Sequence, residues 1–149
     1  MRTSRDAMPD AVVDSNVLFG AFNERDQYHD RALPLLRAFD REELPRAHVT
    51  TLVLPEVLNP TQHRRGHDFA VDVLERLSES SGFTVEHPTQ EEIARGEALF
   101  HGASGIEYTD CVTVAYMRSR ELRYIYSFDD DFDAFESVTR LNDVADPFA

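Results

Sequence analysis

Lysine is absent from this chain. All fifteen basic residues are arginine, set against 28 Asp and Glu, for a formal net charge of −13. So acidic a surface repels nucleic acid at ordinary ionic strength. At molar salt the screening length shrinks to roughly 3 Å and that repulsion fades beyond contact range. An acid-rich, lysine-free composition is the one expected of a halophilic protein. Cysteine occurs once, at Cys111, which excludes an internal disulfide and fits a reducing, cytoplasmic setting. Long hydrophobic runs are missing too. The longest apolar stretches, around Val49–Leu58 and Asp110–Met117, are short and interrupted, so no membrane span is expected. The opening residues Met1–Asp10 have no apolar core, and no secretory signal is expected there. No internal repeat and no low-complexity tract interrupts the chain.

What is present suffices for a packed interior. Of 149 residues, 42% are apolar, which suits one domain over 1–149 with its core between about residues 11 and 141. Strand and helix patterns alternate. Ala11–Asp14 reads as a buried first strand, and Asn16–Phe22 continues apolar at helical spacing. Asp30–Phe39 is amphipathic, with Pro34 tolerable only near a helix start. Ala47–Thr50 is a second strand running into a helix near Leu54–Leu58. Phe69–Leu77 forms a helix closed by Ser80-Ser81-Gly82. Phe83–Glu86 alternates like a strand. Gln90–Phe100 is helical, with Thr89 and Glu92 spaced as a capping box. Thr109 is expected to cap a helix that turns Val112, Ala115 and Tyr116 inward. Arg123–Ser127 and Ser137–Leu141 read as strands, with the acidic turn Asp129-Asp130-Asp131 between them. This alternation predicts an α/β layer fold with a mostly parallel sheet, whose functional cleft lies at the carboxyl ends of the strands.

About one residue in five is acidic, so most carboxylates are expected to be solvated. Glu42, Glu43, Glu79, Glu91 and Glu92 sit in polar segments and fit that expectation. Asp14, Glu56, Asp110 and Asp129 do not, because each lies in or against an apolar run. Carboxylates drawn out of water need a cation or hydrogen-bond donors. No arginine is adjacent to any of the four in sequence, so a divalent ion is the natural partner. Hard oxygen ligands suit Mg²⁺ or Mn²⁺. Ions held this way beside a phosphodiester activate water and steady the charge of in-line attack, which is nuclease chemistry.

The same residues resemble those of PIN domains. Val12-Val13-Asp14-Ser15-Asn16 is similar to the family's opening. Glu56 in Leu54-Pro-Glu-Val-Leu58, Asp110 in Tyr108-Thr-Asp-Cys111 and Asp129 in Ser127-Phe-Asp-Asp-Asp-Phe132 match its later acids in order. The resemblance implies a three-layer α/β/α sandwich and Mg²⁺- or Mn²⁺-dependent cleavage of RNA. It implies metal ligation by Asp14, Glu56, Asp110 and Asp129, with Asp131 as a further acid. Ser15, Asn16 and Ser127 would support them. It also implies a VapC-type toxin, held inactive by a small antitoxin protein and often a homodimer. Cys111 stands where Ala is more usual, and as a small buried hydrophobe it should fit.

Two other readings compete. A PIN fold that has lost its chemistry would serve as a binding subunit, though all four acids are present. A phosphatase or phosphotransfer domain would also place an Asp after its first strand. Such sites rely on a lysine, and none exists here. His63-Arg64-Arg65-Gly66-His67 puts two histidines at zinc-helix spacing but lacks the acid between them, so it reads as a solvated basic patch with RNA phosphate as an alternative contact. Arg118, Arg120 and Arg123 read as cations complementing a helix C-terminus. Phe19, Phe22, Phe69, Phe100, Tyr116 and Tyr124 read as core residues.

Overall fold

Ala11, Val12 and Val13 are all fully buried, so the first strand is apolar on both faces, as a parallel sheet covered by helices requires. The computed structural model describes residues 9–149. Five strands, β1 (Asp10–Val13), β2 (Arg46–Thr50), β3 (Phe83–Glu86), β4 (Tyr124–Tyr126) and β5 (Thr139–Leu141), form one sheet in the order β3-β2-β1-β4-β5. Every neighbouring pair is parallel. Helices α1 (Ser15–Phe22) and α2 (His29–Asp40) join β1 to β2. Helices α3 (Leu54–Arg65) and α4 (His67–Glu79) join β2 to β3, and α5 (Gln90–Gly102) and α6 (Tyr108–Ser119) join β3 to β4.

The period of two along each strand divides the interior into two cores. Ala11, Val13, Ala47, Val49 and Tyr126 face α1 to α4, meeting Leu18, Leu35, Phe39 and Leu77. Val12 and Ile125 face the other way, onto Cys111, Val114 and Met117 of α6 and onto Phe132. The result is the expected three-layer sandwich, with Cys111 fully buried as a small core residue. No helix among the described residues is long and apolar enough to cross a membrane.

Several local expectations need correction. Pro34 lies in the sixth position of α2, beyond the first turn. It forfeits one hydrogen bond, to the carbonyl of Asp30, an exposed residue. Helix α3 runs past Pro60 to Arg65, well beyond the apolar stretch that marks its start. Gly66 (φ 91°) then separates α3 from α4, so His63 and His67 lie on different helices and their zinc-like spacing is lost. Helix α6 begins at Tyr108 with Glu107 as its N-cap residue, which places Thr109 inside the first turn and not at the cap. Phe100 is 46% exposed and packs edge-on against Tyr108 instead of entering the core. The capping box of Thr89 and Glu92 forms as expected.

Candidate active site

Strand order reverses between β1 and β4, and an open parallel sheet has its natural crevice at the carboxyl ends of such a pair. Asp14 follows β1 and is the N-cap of α1. One of its oxygens accepts from the Ser15 amide at 2.8 Å, the other from the Ser127 hydroxyl at 2.7 Å. Ser127 follows β4 and is fully buried. Its Oγ also accepts from the Asp129 amide at 3.0 Å and from the Asn16 side-chain amide at 3.4 Å. Asn16 returns its carbonyl oxygen to the Phe128 amide at 3.2 Å. Asn16 and Ser127 therefore tie the two strand ends together, while the Ser15 amide caps Asp14 locally. On the outer side of the turn, Phe128 stacks on Tyr28 at 4.6 Å, and the Arg31 guanidinium lies 4.7 Å over the Phe128 ring. The Asp131 amide donates to Asp129 at 2.9 Å, closing the acidic turn into a short 3-10 helix.

Asp110 enters from the first turn of α6, where close helix packing sets its depth. A Cβ on Gly96 of α5 would lie only 2.5 Å from Val112 Cα, so glycine is what lets α6 settle against α5. Asp110 is 5% exposed and its Oδ2 is buried without a hydrogen-bond partner. Burial pushes its carboxyl up to about 8, and the charges of Asp14, Asp129, Glu107 and Glu56 add to the rise. Burial likewise raises Asp14 to about 6, against the bonds from Ser127 and Ser15 that favour its charge. Asp131, half-buried in the acidic turn, is raised chiefly by Asp129.

The remaining acids divide unevenly. Carboxylate oxygens of Glu107, Asp110 and Asp129 lie within 4.8 Å of one another, as do those of Asp129, Asp130 and Asp131. Two unit charges at that distance repel by about 3 kcal/mol at an effective dielectric near 20. Glu56 belongs to neither trio. It is exposed in the first turn of α3, whose other side buries Val53 and Val57, and it reaches the cluster only through its charge. The apolar run around Glu56 reflects that buried side and not a sequestered carboxylate. Glu107 was not legible as a member of the site. Its one signal is its position three residues before Asp110, which sets both acids on the same side of the first helical turn.

An orphaned buried carboxylate oxygen among carboxylates, with no cation paired to Asp14, Glu56, Asp110 or Asp129 among the described residues, is chemically incomplete. The donor set is all hard oxygen and fits a divalent cation. Other charged side chains make contacts within the fold. Arg65 lies 3.9 Å over Phe69 and donates to the Phe22 carbonyl, and Arg64 lies 5.1 Å over Phe19. Arg118 bonds Ser137 at 2.9 Å. Arg120 does more than complement a helix end, because it pairs with Glu92 at 3.0 Å. Glu92, expected at the surface, is 3% exposed.

Comparison with curated protein sequences gives no match. Solved structures do match. VapC20 of Mycobacterium tuberculosis, described as a sarcin-ricin loop cleaving toxin, is 25% identical with a TM-score of 0.71, over 83% of this chain and 93% of that one. A toxin–antitoxin complex from Klebsiella pneumoniae is 19% identical with a TM-score of 0.64, over 87% and 95%. VapBC2 of Rickettsia felis, bound to a DNA fragment from its promoter, is 10% identical with a TM-score of 0.66, over 89% and 98%. The sequence model of the PIN domain matches residues 11–137, a span that takes in every acid of the cluster, and the chain belongs to the PIN-domain family.

Proposed function

We propose that this protein is a divalent-cation-dependent endoribonuclease and the toxin of a toxin–antitoxin pair. The observation that carries the chemistry is Asp110, a buried carboxylate with one unpartnered oxygen, close to other acids and without a counter-charge. Asp14, Asp110 and Asp129 would hold Mg²⁺ or Mn²⁺, with the exposed Glu56 and the half-buried Asp131 contributing. Ser127 and Asn16 join Asp14 to the Asp129 turn through hydrogen bonds, which would position these ligands before an ion arrives. A bound ion would supply water activation and charge neutralisation for in-line attack on an RNA phosphodiester. The toxin reading rests on family membership and on the solved relatives, whose descriptions name a toxin that cleaves the sarcin-ricin loop and toxin–antitoxin complexes. An antitoxin protein is the partner this reading requires, and a homodimer is a compatible assembly. Cytoplasmic RNA at high salt is the setting that best suits so acidic a nuclease. The purified protein should cleave single-stranded or structured RNA with Mg²⁺ or Mn²⁺, stop in EDTA, and gain activity from 0.1 M toward molar KCl. Cleavage that persists undiminished in EDTA would remove the cation from the mechanism.

A further inference from the structure

The side chain of Glu107 makes no capping bond to its own helix, and among the described residues it has no hydrogen bond and no ion pair. Glutamate is a poor N-cap, since the residues that bond the first amides of a helix are the shorter Asp, Asn, Ser and Thr. Neighbouring Tyr108 spends its hydroxyl on Glu97 at 3.0 Å and leaves Glu107 alone. The Glu107 carboxylate comes within 4.8 Å of oxygens of Asp110 and Asp129, where nothing donates to it. The second observation is the orphaned Oδ2 of Asp110, a residue only 5% exposed.

We infer that Glu107 is a further ligand of the cation centre, closing it on the solvent side. The inference rests on the cation-dependent reading of the site. In a sixfold oxygen shell with bonds of about 2.0–2.1 Å, adjacent oxygens lie ~3 Å apart and opposite ones ~4.2 Å. The trio's oxygens all lie within 4.8 Å of one another, a span on the scale of that shell. Both Glu107 and Asp110 stand at the N-terminus of α6, where the helix dipole favours anions and helps hold them together. Glu107 is the exposed member, Asp129 intermediate and Asp110 buried, so the three form a graded wall from solvent to core. This division of labour assigns depth to Asp110 and access to Glu107.

Calorimetric titration of Mn²⁺ into the full chain tests it, with wild type, Glu107→Gln, Asp110→Asn and Glu43→Gln compared. Glu43 is an exposed acid just before β2, at the amino ends of the strands and away from the cluster at their carboxyl ends, and controls for loss of one charge. The expected result is Mn²⁺ affinity at least tenfold weaker in Glu107→Gln and unchanged within twofold in Glu43→Gln. A loss of threefold or less, or one matched by Glu43→Gln, overturns the ligand assignment. If Asp110→Asn alone abolishes binding, the cation centre stands and the role of Glu107 falls. If the wild type binds no Mn²⁺, both fall. Thermal melts in EDTA confirm that each variant folds, and Glu107→Asp is read by the same threshold should Glu107→Gln not fold.

Discussion

Helix α6 has a buried carboxylate at each end, and the two behave in opposite ways. At its N-terminus Asp110 is 5% exposed and its carboxyl is raised to about 8. Beside its C-terminus Glu92, from α5, is 3% exposed and lies at about 2. Burial pushes both upward. Around Glu92 it is outweighed by two bonds from Arg120, at 3.0 and 3.2 Å, by the Ser119 hydroxyl and by the Thr89 amide at 2.8 Å. Around Asp110 only acids gather. Burial therefore does not distinguish an acid whose charge is compensated within the fold from one whose charge is not. The donors do.

The largest effect should come from emptying the unpaired end. Asp110→Asn or Asp14→Asn should lower RNA cleavage by at least about 10²–10³-fold, the scale of losing a preorganised charge contact in a reacting centre. Circular dichroism should show both variants folded. Cleavage within tenfold of wild type in both would separate these acids from the chemistry. The paired end should answer in stability instead. Glu92→Ala should cost about 2–3 kcal/mol, at or below the bottom of the range of about 3–5 kcal/mol for a broken buried pair, because Arg120 keeps 29% of its side chain in water. Activity per folded molecule should stay within a few-fold of wild type. A large loss of turnover without loss of stability would mean that the two ends are not separate in function. Gly96→Ala touches both, since its Cβ meets Val112 at 2.5 Å and wedges α5 from α6. Overpacking of this kind costs about 1–3 kcal/mol. Because Asp110 and Arg120 both ride on α6 and its cap, cleavage and melting temperature should fall together, and an unchanged melting temperature would show that the helices give way freely.

This contrast also separates what the sequence displays from what it hides. Parallel strands buried on both faces show as short apolar runs, so Ala11–Val13 and Ala47–Thr50 were readable as strands. Asp14 and Asp129 stand where such strands end, and Asp110 where a helix begins, so pattern alone placed them at one edge. The capping box of Thr89 and Glu92 is local chemistry and was equally legible. The burial of Glu92 was not, because its counter-charge Arg120 stands 28 residues away and polar neighbours surround both. Glu56 misled in the opposite sense, since Val53 and Val57 around it belong to the buried side of α3 and the acid to the exposed one. Phe100 has helical spacing yet sits near the end of α5, where the core no longer covers it. In each case the missing information is which side of a helix meets a distant partner.

The smallest expected effect is the most direct reading of the contrast, because the two ends should respond to pH with opposite signs. In EDTA, Asp14 and Asp110 hold their protons in the folded state to about pH 6 and about pH 8, whereas in the unfolded chain they release them near 3.8. Over that interval the folded state binds more protons, so stability falls as pH rises from about 4 to about 8. Glu92 runs the other way. Its folded value of about 2 lies below the ordinary 4.5, so its contribution is complete above pH 4.5 and is lost as pH falls toward 2. The metal-free protein should therefore melt highest near pH 4–5, lower towards pH 8 because of one end and lower towards pH 2 because of the other. Asp110→Asn should flatten only the alkaline limb, gaining about 1–2 kcal/mol over wild type near pH 8.5, or a few degrees of melting temperature in a chain of this size. The full pKa displacement would give more, but water entering the ion-free cluster relieves part of the strain. Glu92→Gln should flatten only the acid limb. Adding Mn²⁺ at pH 8 should stabilise wild type and leave Asp110→Asn nearly unchanged, since an ion that binds only the folded state stabilises only a protein that can hold it. Thermal melts across pH 2–9, with EDTA and with Mn²⁺, supply the whole comparison. An Asp110→Asn variant that melts below wild type throughout the EDTA series would show that this carboxylate holds the fold together, as Glu92 does.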